Sequence, residues 1–557
     1  MKNKITFRTK LLLWLILIFG LAIRFIGFNW DQGQHLHPDE RFLSMVIGDI
    51  DIPQTLSEYL NPKISSLNPY NNNYNFFVYG SLPITLTKII SQSFNLSDYY
   101  HGYLIGRDLT IILDSLIIFL VFLITSKIAN KKTSLIAAFL YSICVLPIQL
   151  SHFFTVDPFL NFFIILAFYF LVSLQDKSHH LRNTLLLSLS FGFALASKIS
   201  AIYFAPVIFL FFIFNFKKDL ISFFKYGFVF LILSICTFRF SQPQVFANAS
   251  YFSWQPNPQF IENLKELKAW DKNPSYPPAI QWIKTTPIIF PLKNILLWGL
   301  GLPFGIIFSI SLVFTVIKFK QSKNKLVLFL IIFWILFLFL FQGSQSVSTM
   351  RYFLPIYPFI CILSSILINT FLNSSFLRRN HIFKYLFFIS LIFYPLMFLS
   401  VFFKNHSRVT ASNWIYQNIP VGSTIATEYW DDALPLSIGS SLSSFYNYQS
   451  LHVADIENET KMEVIYSQLK NTDYIILSSN RFYLTIPKNS DIFPMTSKYY
   501  QSLFDGSLGF QKVAEFNSYP CFPPIGKSWF CFDDTNSEEA FTVYDHPKVL
   551  IFRKTNL

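Results

Sequence analysis

Two adjacent carboxylates follow the first long apolar stretch of the chain, in the segment HLHPDERF (35–42). A carboxylate at the edge of an apolar region is partly desolvated, which raises its basicity and suits a general base. The same residues also fit a purely structural role. Pro38 is typical of a first helical position, and Asp39 and Glu40 in a first turn stabilise a helix through its dipole. The spacing alone leaves both interpretations open.

The residues around this carboxylate pair predict an amphipathic helix and allow a metal site. Apolar side chains recur at helical spacing, which predicts a stripe lying on the membrane. These residues are Phe42, Leu43, Val46, Ile47 and Ile50. In an extended chain His35, His37 and Asp39 could bind a metal. No further ligand lies nearby in the sequence, so we expect no metal and no other cofactor.

Further ionisable residues lie at or near the ends of apolar stretches, where burying a charge in a membrane is costly. They are Arg107, Asp108, Asp114, His152, Asp157, Lys198, Arg239 and Arg351. Arg107 and Asp114 are about two turns apart on one helix face, so they could pair inside a helix bundle. A lone Lys or Arg could instead place its charge at the interface. As a set, these residues predict a polar cavity with cations for an anionic group and carboxylates for chemistry.

The composition indicates which elements position these residues. The 557 residues are 52% hydrophobic and only 13% charged, whereas a soluble protein carries about 25% charged residues. That deficit argues against intrinsic disorder and against a nucleic-acid-binding domain. The formal net charge of +13 is explained by cations that flank membrane spans and favour anionic lipid. We predict a polytopic α-helical membrane protein.

The apolar stretches predict eleven spans, the first of them an uncleaved anchor because its apolar run is too long for a signal peptide. The spans are 11–30, 108–127, 134–151, 157–174, 184–197, 200–215, 226–240, 295–317, 326–342, 352–372 and 385–403. Lys and Arg cluster in the short segments on one side, so the N-terminus is predicted to be cytoplasmic and the C-terminal region extracytoplasmic. Counting 76–94 as a span would reverse that arrangement, so it is predicted to be interfacial or re-entrant.

The remaining segments are two long outer loops, 31–107 and 241–294, and a C-terminal region. We predict a membrane domain at 1–403 and an extracytoplasmic α/β domain at 404–557, because short apolar runs such as DYIILSS (473–479) and KVLIFRK (548–554) alternate there with helical patterns near 410–418 and 460–470. Cys521 and Cys531 lie in this region, where a disulfide and two free thiols are both compatible with the sequence.

Six short motifs together resemble the GT-C membrane glycosyltransferases of the protein O-mannosyltransferase-like group (glycosyltransferase family 39), which is similar to the bacterial aminoarabinose transferases. The motifs are HPDERF (37–42), YGSLP (79–83), GRDLT (106–110), HFFTVDPFLNFF (152–163), ALASKIS (194–200) and RYFLPIYP (351–358). The resemblance covers about residues 10–400. The C-terminal region, with SNWIYQNIP (412–420) and FTVYDHPKVLIF (541–552), is similar to the outer domain of unassigned bacterial members.

The resemblance implies transfer of one hexosyl or pentosyl group from a polyprenyl-phosphate carrier to a glycan, lipid or protein acceptor at the outer face of the cell membrane. It implies a base at Asp39, with Glu40 beside it, and a second acid at Asp157. It implies Arg107, Lys198 and Arg351 at the carrier phosphate, and we add His152 and Arg239 to these binding candidates because they lie at the same face.

The alternatives are a transporter or flippase for a lipid-linked sugar and a catalytically silent receptor or scaffold. A transporter usually has inverted repeats with broken helices at the midplane, and we find no internal repeat.

Overall fold

The computed structural model describes residues 6–271, 273 and 275–555. The helices before residue 404 are α1 (Phe7–Phe25), α2 (Pro38–Asp49), α3 (Leu56–Leu60), α4 (Ser81–Ser93), α5 (Gly102–Ile128), α6 (Lys131–Ser142), α7 (Val145–Ser151), α8 (Val156–Ser173), α9 (His180–Ser197), α10 (Ala205–Phe216), α11 (Leu220–Ser241), α12 (Pro258–Trp270), α13 (Ile289–Asn294), α14 (Leu302–Lys318), α15 (Lys325–Gly343), α16 (Tyr357–Leu372), α17 (Ser375–Arg379) and α18 (His381–Phe403). The 3₁₀ segments Ile199–Phe204 and Met350–Ile356 lead into α10 and α16, and the π-helical segment Ile295–Gly299 precedes α14.

Within the described residues, eight helices are long and apolar enough to cross a membrane, or up to nine if α6 and α7, which are bent by 54°, form one span. The predicted spans 11–30 and 184–197 coincide with α1 and α9, which are not among these. Helix α1 carries three cations in its 19 residues, and α9 begins with polar residues. A polytopic helical membrane protein is therefore confirmed, whereas the predicted eleven spans exceed the number that length and composition support.

Helix α2 begins as its sequence predicts, but its apolar stripe is covered by protein. The imidazole Nδ1 of His37 accepts a hydrogen bond from the Glu40 backbone N–H, and Pro38 opens the helix. Leu43, Val46, Ile47 and Ile50 are completely buried in a protein core that includes side chains of α4 and α5. The prediction of a membrane-surface stripe is wrong, because the apolar face of α2 is covered by neighbouring helices.

Segment 76–94 contains α4, a helix of 13 residues that is about 20 Å long and too short to cross a bilayer of about 30 Å. The ammonium group of Lys88 is buried and donates a hydrogen bond to the backbone oxygen of Ile47, at 3.1 Å. Gly80 precedes α4 where a Cβ would collide with the carbonyl oxygens of Ala196 and Ser197. This close approach brings the loop before α4 against the end of α9.

The predicted pairing of Arg107 with Asp114 does not occur. Asp114 instead accepts hydrogen bonds from Arg24 Nε of α1, at 2.7 Å, and from the Tyr141 hydroxyl of α6, at 2.6 Å. Arg24 and Asp114 are both fully buried, so this ion pair connects three helices in the interior of the bundle. The guanidinium of Arg107 instead contacts a different set of carboxylates, which lie near the end of α1.

The C-terminal domain is an α/β unit, as the sequence predicts. Its strands are β1 (Thr424–Glu428), β2 (Asn447–Leu451), β3 (Tyr474–Leu477), β4 (Phe510–Phe516), β5 (Cys521–Phe522), β6 (Phe530–Cys531) and β7 (Val549–Lys554), and its helices are α19 (Ser407–Asn418), α20 (Glu459–Lys470), α21 (Pro494–Asp505) and α22 (Glu539–Thr542). Five strands form a sheet in the order β2-β1-β3-β7-β4, with β1 parallel to β2 and β3 and with β7 antiparallel to β3 and β4.

Apolar side chains cover both faces of this sheet. Helix α19 packs on one face through Ala411 and Ile415, and α20 and α21 pack on the other through residues that include Ile465 and Leu503. The two-stranded sheet of β5 and β6 lies apart from it, and a disulfide joins Cys521 to Cys531. The domain thus has the three-layer form that alternating strands and helices predict.

Candidate active site

A cavity of about 390 Å³ lies at one end of the helix bundle. Its wall contains four of the predicted site residues, which come from four separate parts of the chain. They are Asp39, Asp157, Lys198 and Arg351. Glu40, Arg107, His152 and Arg239, which were also predicted at the site, do not line this cavity.

Asp39 and Arg351 form an ion pair in the polar part of the cavity. Asp39 lies in the first turn of α2, and Arg351 is the second residue of the 3₁₀ segment Met350–Ile356. Arg351 Nη1 donates to Asp39 Oδ2 at 2.5 Å across 312 residues of sequence. The Tyr79 hydroxyl donates to Asp39 Oδ1 at 3.0 Å. Both carboxylate oxygens therefore have a partner.

This pairing reverses the effect that was predicted for the basicity of Asp39. Burial raises the pKa of the Asp39 carboxyl, but the charge and hydrogen bond of Arg351 outweigh burial and hold this pKa well below its usual range. Asp39 is consequently an ionised carboxylate at neutral pH. As long as Arg351 contacts it, Asp39 is a weaker base than a desolvated carboxylate without a cation.

Asp157 and Lys198 form a second ion pair on the cavity wall. Lys198 Nζ lies 2.7 Å from Asp157 Oδ1, and the Lys198 side chain is 23% exposed. The ring of Tyr352 lies close to both Lys198 and Arg351. Its centroid is 4.6 Å from Lys198 Nζ and 5.6 Å from the guanidinium carbon of Arg351. Two cations therefore face one polar space, and each is oriented by its own carboxylate.

The cavity continues from these charged groups into an apolar groove. The groove is lined by residues of α8, the segment Ile199–Phe204 and α15, including Leu160, Ile164, Tyr203, Trp334 and Phe341. On α8, Asp157 and Ile164 are separated by about two turns, or about 10 Å along the axis. The cavity can therefore hold a molecule with an anionic head and an apolar tail.

Helix α12 of loop 241–294 forms the opposite wall. Leu264, Leu267, Lys268 and Asp271 line the cavity from this helix and the residue that follows it. The sequence predicts this segment as a long outer loop and indicates no contribution to the site. The helical spacing of Phe260, Leu264 and Leu267 was the available signal, but such spacing does not identify the surface that a helix covers.

Glu40 and Arg107 form a closed structural pair. Arg107 Nη2 lies 2.5 Å from Glu40 Oε1 and 3.1 Å from Asp31 Oδ2, and all three side chains are completely buried. The Phe154 backbone N–H donates to Glu40 Oε2 at 2.8 Å. The charge of Arg107 is thus matched by carboxylates, which leaves it no access to a phosphate in the cavity.

His152 and Arg239 contact backbone oxygens. The two ring nitrogens of His152 lie 2.7 Å and 2.8 Å from the carbonyl oxygens of Ile148 and Ile26, and the ring stacks on Phe402. Arg239 donates to the carbonyl oxygens of Pro243, Asn248 and Ser250. These contacts connect helices and order the start of loop 241–294.

The histidines that could have formed a metal site are used for packing. The ring of His35 stacks on Tyr99, and the ring of His37 contacts Phe153 and Tyr544. Among the described residues no group of three or more His, Cys, Asp or Glu side chains is placed to hold a metal ion. The alternative that combined His35, His37 and Asp39 is therefore not formed.

The C-terminal domain contacts the segment that carries Arg351. Glu538, which is 2% exposed, accepts hydrogen bonds from the backbone N–H of Met350, at 2.8 Å, and from the hydroxyl of Thr349. Its own N–H donates to Asn294 Oδ1 at 2.8 Å. Burial raises the pKa of Glu538 to about 7. Sequence reasoning missed this residue because its partners lie about 190 positions earlier in the chain.

Residues 104–239 match the family model described as dolichyl-phosphate-mannose-protein mannosyltransferase. No curated protein sequence gives a significant match to the chain. Among solved structures, the oligosaccharyltransferase AglB of Archaeoglobus fulgidus, in complex with an inhibitory peptide and a dolichol-phosphate, is similar over 99% of this chain and 89% of its own, with 13% identity and a TM-score of 0.54. ArnT of Cupriavidus metallidurans bound to undecaprenyl phosphate is similar over 97% of both chains, with 11% identity and a TM-score of 0.45. At such low identity, the first match shows a common fold and nothing finer.

Proposed function

We propose that this chain, a polytopic membrane protein with the GT-C fold, transfers a single sugar from a polyprenyl-phosphate carrier to an acceptor at the outer face of the cell membrane. One observation carries the proposal. The cavity joins two cations, Arg351 and Lys198, to an apolar groove that extends about 10 Å along α8. An isoprenoid phosphate has this combination of an anionic head and a long apolar chain. AglB, which has the same fold, was solved with a dolichol-phosphate bound, and this supports the same class of donor.

The two cations would hold the phosphate in different ways. A guanidinium binds a phosphate through two parallel hydrogen bonds, whereas an ammonium group acts as a point charge. Arg351 would orient the phosphate, and Lys198 would neutralise the charge that grows on it as the bond to the sugar breaks. Asp157 holds Lys198 at 2.7 Å, so we assign it a positioning role toward this cation.

Asp39 would act as the base on the acceptor hydroxyl. It accepts the hydroxyl proton while the acceptor oxygen bonds to the anomeric carbon, and the bond from that carbon to the phosphate oxygen breaks with its electron pair. Arg351 contacts Asp39 in the structure, and a donor phosphate would compete for the same guanidinium. Binding of the donor would therefore weaken the interaction that lowers the pKa of Asp39 and make it a stronger base.

We assign the other predicted residues supporting roles. Glu40 and Arg107 connect α2 to α5 through a buried ion pair. His152 lies between helices, and Arg239 orders the loop that carries α12. The sugar could be a hexose or a pentose, and the acceptor a glycan, a lipid or a protein. The membrane domain would comprise residues 1–403, and the C-terminal domain would comprise residues 404–557.

A deletion strain tests the proposed function. Mass spectrometry of its envelope is expected to show a glycan, lipid or protein that lacks one sugar, together with accumulated polyprenyl-phosphate sugar. The wild-type gene should restore both, whereas a gene encoding Asp39→Asn should restore neither. A transporter or flippase would not need this base, so restoration by Asp39→Asn would contradict transfer and favour transport.

The orientation is tested by a reporter fused after Leu557. We expect alkaline phosphatase at that position to be active, because Lys and Arg cluster in the segments on the opposite side of the predicted spans and such segments stay in the cytoplasm. A fusion after residue 130, between α5 and α6, is the control and should be inactive. Activity of a cytoplasmic reporter alone after Leu557 would place the site on the inner face.

Glu538 provides a test of the contribution of the C-terminal domain. Glu538→Ala removes the acceptor for Met350 N–H and the Thr349 hydroxyl, so the segment that carries Arg351 loses a buried contact. We expect donor affinity to fall roughly tenfold, the cost of one hydrogen bond to a charged group, with a much smaller change in kcat. Glu538→Gln, which keeps an acceptor oxygen, should recover most of the affinity.

The control is Glu515→Ala, which removes a half-buried glutamate paired with Lys548 in the same domain. It should leave donor affinity unchanged. In an Arg351→Ala background, Glu538→Ala should weaken donor binding little further, because both changes act on the same guanidinium. Full additivity of the two effects would show that Glu538 acts on stability and not through Arg351.

A further inference from the structure

The disulfide between Cys521 and Cys531 closes a short hairpin with an unusual surface. The hairpin contains strands β5 and β6, and Lys527 is the single charged residue between positions 518 and 532. Four of its large apolar side chains are exposed. The exposed fractions are 64% for Ile525, 81% for Trp529, 53% for Phe530 and 41% for Phe532. Such a concentration of exposed aromatic surface marks an interaction site.

The hairpin lies along α18, a helix that is long and apolar enough to span the membrane. The Lys404 ammonium group, at the end of this helix, donates to the Tyr519 carbonyl oxygen at 3.3 Å. Lower on the helix, the Cys521 backbone N–H donates to Ser400 Oγ at 2.8 Å. Further still, the rings of Phe393 and Phe522 lie 5.1 Å apart. From Lys404 to Phe393 the helix descends about three turns, or about 16 Å.

The opposite side of the hairpin fits between two helical segments. The ring of Phe532 lies 5.6 Å from Trp298, in the segment before α14, and 6.5 Å from Tyr394 of α18. These contacts hold the hairpin against the bundle. The exposed ring of Trp529 lies 6.1 Å from Phe522, which contacts Phe393, a residue of α18 that is itself 39% exposed.

We propose that this hairpin inserts into the lipid leaflet beside α18 and anchors the C-terminal domain to the membrane. The partner is the bilayer itself, both its acyl chains and its headgroups. A length of about 16 Å along a spanning helix matches the thickness of one leaflet, which is half of a hydrocarbon core about 30 Å thick. Acyl chains would bury the exposed apolar side chains of the hairpin, and the long stem of Lys527 lets its ammonium group extend toward the headgroups.

This inference is independent of the proposed function, because it rests on the surface of the hairpin and its position along α18. The competing occupant is a second copy of the chain, whose apolar surface could cover the same residues. Water is the third possibility. It would leave three aromatic side chains and an isoleucine solvated, and each Å² of apolar surface exposed in this way costs about 25 cal/mol of free energy. In these three environments, lipid-borne and water-soluble quenchers would reach the hairpin to different extents.

Trp529 itself provides the measurement. The full-length protein is reconstituted into phosphatidylcholine nanodiscs with or without lipid that carries a doxyl group on the acyl chain. The fluorescence lost in Trp529→Phe gives the contribution of this residue. We expect the acyl-chain quencher to reduce that contribution strongly and aqueous acrylamide to reduce it weakly. Trp430→Phe is the matched control, because Trp430 is 47% exposed in the same domain and packs on Tyr276 of loop 241–294.

Substitution at the tip of the hairpin provides the second arm. Ile525→Asp places a carboxylate in the leaflet and should make Trp529 less accessible to the acyl-chain quencher and more accessible to acrylamide. Val513→Asp, at a position 43% exposed on β4, should change neither. Quenching of Trp529 by the lipid label no stronger than that of Trp430 would overturn the proposal, as would a dimer that protects Trp529 from both quenchers.

Discussion

Replacing Asp39 with Asn is expected to reduce sugar transfer by about 10²-fold or more, because an amide cannot accept the proton of the acceptor hydroxyl. Donor binding should persist or become tighter. In the wild-type protein the Asp39 carboxylate contacts Arg351 Nη1 at 2.5 Å and competes with a donor phosphate for it, whereas Asn carries no charge. The measurement is kcat for transfer together with the dissociation constant of a defined polyprenyl-phosphate sugar.

The control is Glu40→Gln, in the next residue of the same helix. Glu40 is completely buried against Arg107, so losing its charge should lower the free energy of unfolding by about 3 kcal/mol, as for other broken buried ion pairs. Its effect should therefore appear as a lower melting temperature of the solubilised protein. Near-wild-type transfer by Asp39→Asn would show that the HPDE segment has a purely structural role, as the start of α2.

Replacing Arg351 with Lys is expected to weaken donor affinity roughly tenfold, or about 1.4 kcal/mol. Lysine keeps the charge but loses the planar fork that binds two phosphate oxygens at once. Arg351→Ala should weaken binding further, since it removes the guanidinium altogether and the neighbouring cation, Lys198, already pairs with Asp157 at 2.7 Å. Donor titrations of both variants in nanodiscs provide the measurement, and thermal unfolding monitors the fold.

Arg41→Lys is the matched control for this substitution. Arg41 is a partly exposed arginine that pairs with Asp432 of the C-terminal domain at 2.5 Å and does not line the cavity. Its replacement should leave donor affinity unchanged. If Arg351→Lys binds the donor as tightly as the wild type, or if Arg351→Ala unfolds the protein, then Arg351 holds the helix bundle together and does not bind the phosphate.

The sequence by itself determined the class of the protein and which residues carry charge at the ends of its apolar stretches. Span-length apolar runs predict membrane helices from local composition, and the alternating patterns after residue 404 predict the α/β domain that the sheet and its helices form. A charge at the end of a span is costly wherever the helix lies, so its position in the sequence is informative. Asp39, Asp157, Lys198 and Arg351 were predicted on this basis, and they line one cavity.

Only the tertiary structure decided which charges meet. Arg107 was expected to pair with Asp114 or to face a phosphate, but it contacts Glu40 and Asp31 instead. The stripe on α2 was expected to face the membrane, but it is buried by other helices. Sequence periodicity shows that a face is apolar and does not show whether lipid or protein covers it. That choice depends on how helices pack and on loops that approach as closely as Gly80 does to Ser197.

The same physical reason explains the residues that sequence reasoning missed. Glu538 reaches Met350 across 188 positions, and α12 becomes a cavity wall because loop 241–294 folds back over the bundle. Neither contact has a local signal, because each depends on the relative placement of elements that are distant in the chain. Composition and spacing thus determined which groups could be brought to the site, and the packing of helices, loops and the C-terminal domain decided which of them face one another there.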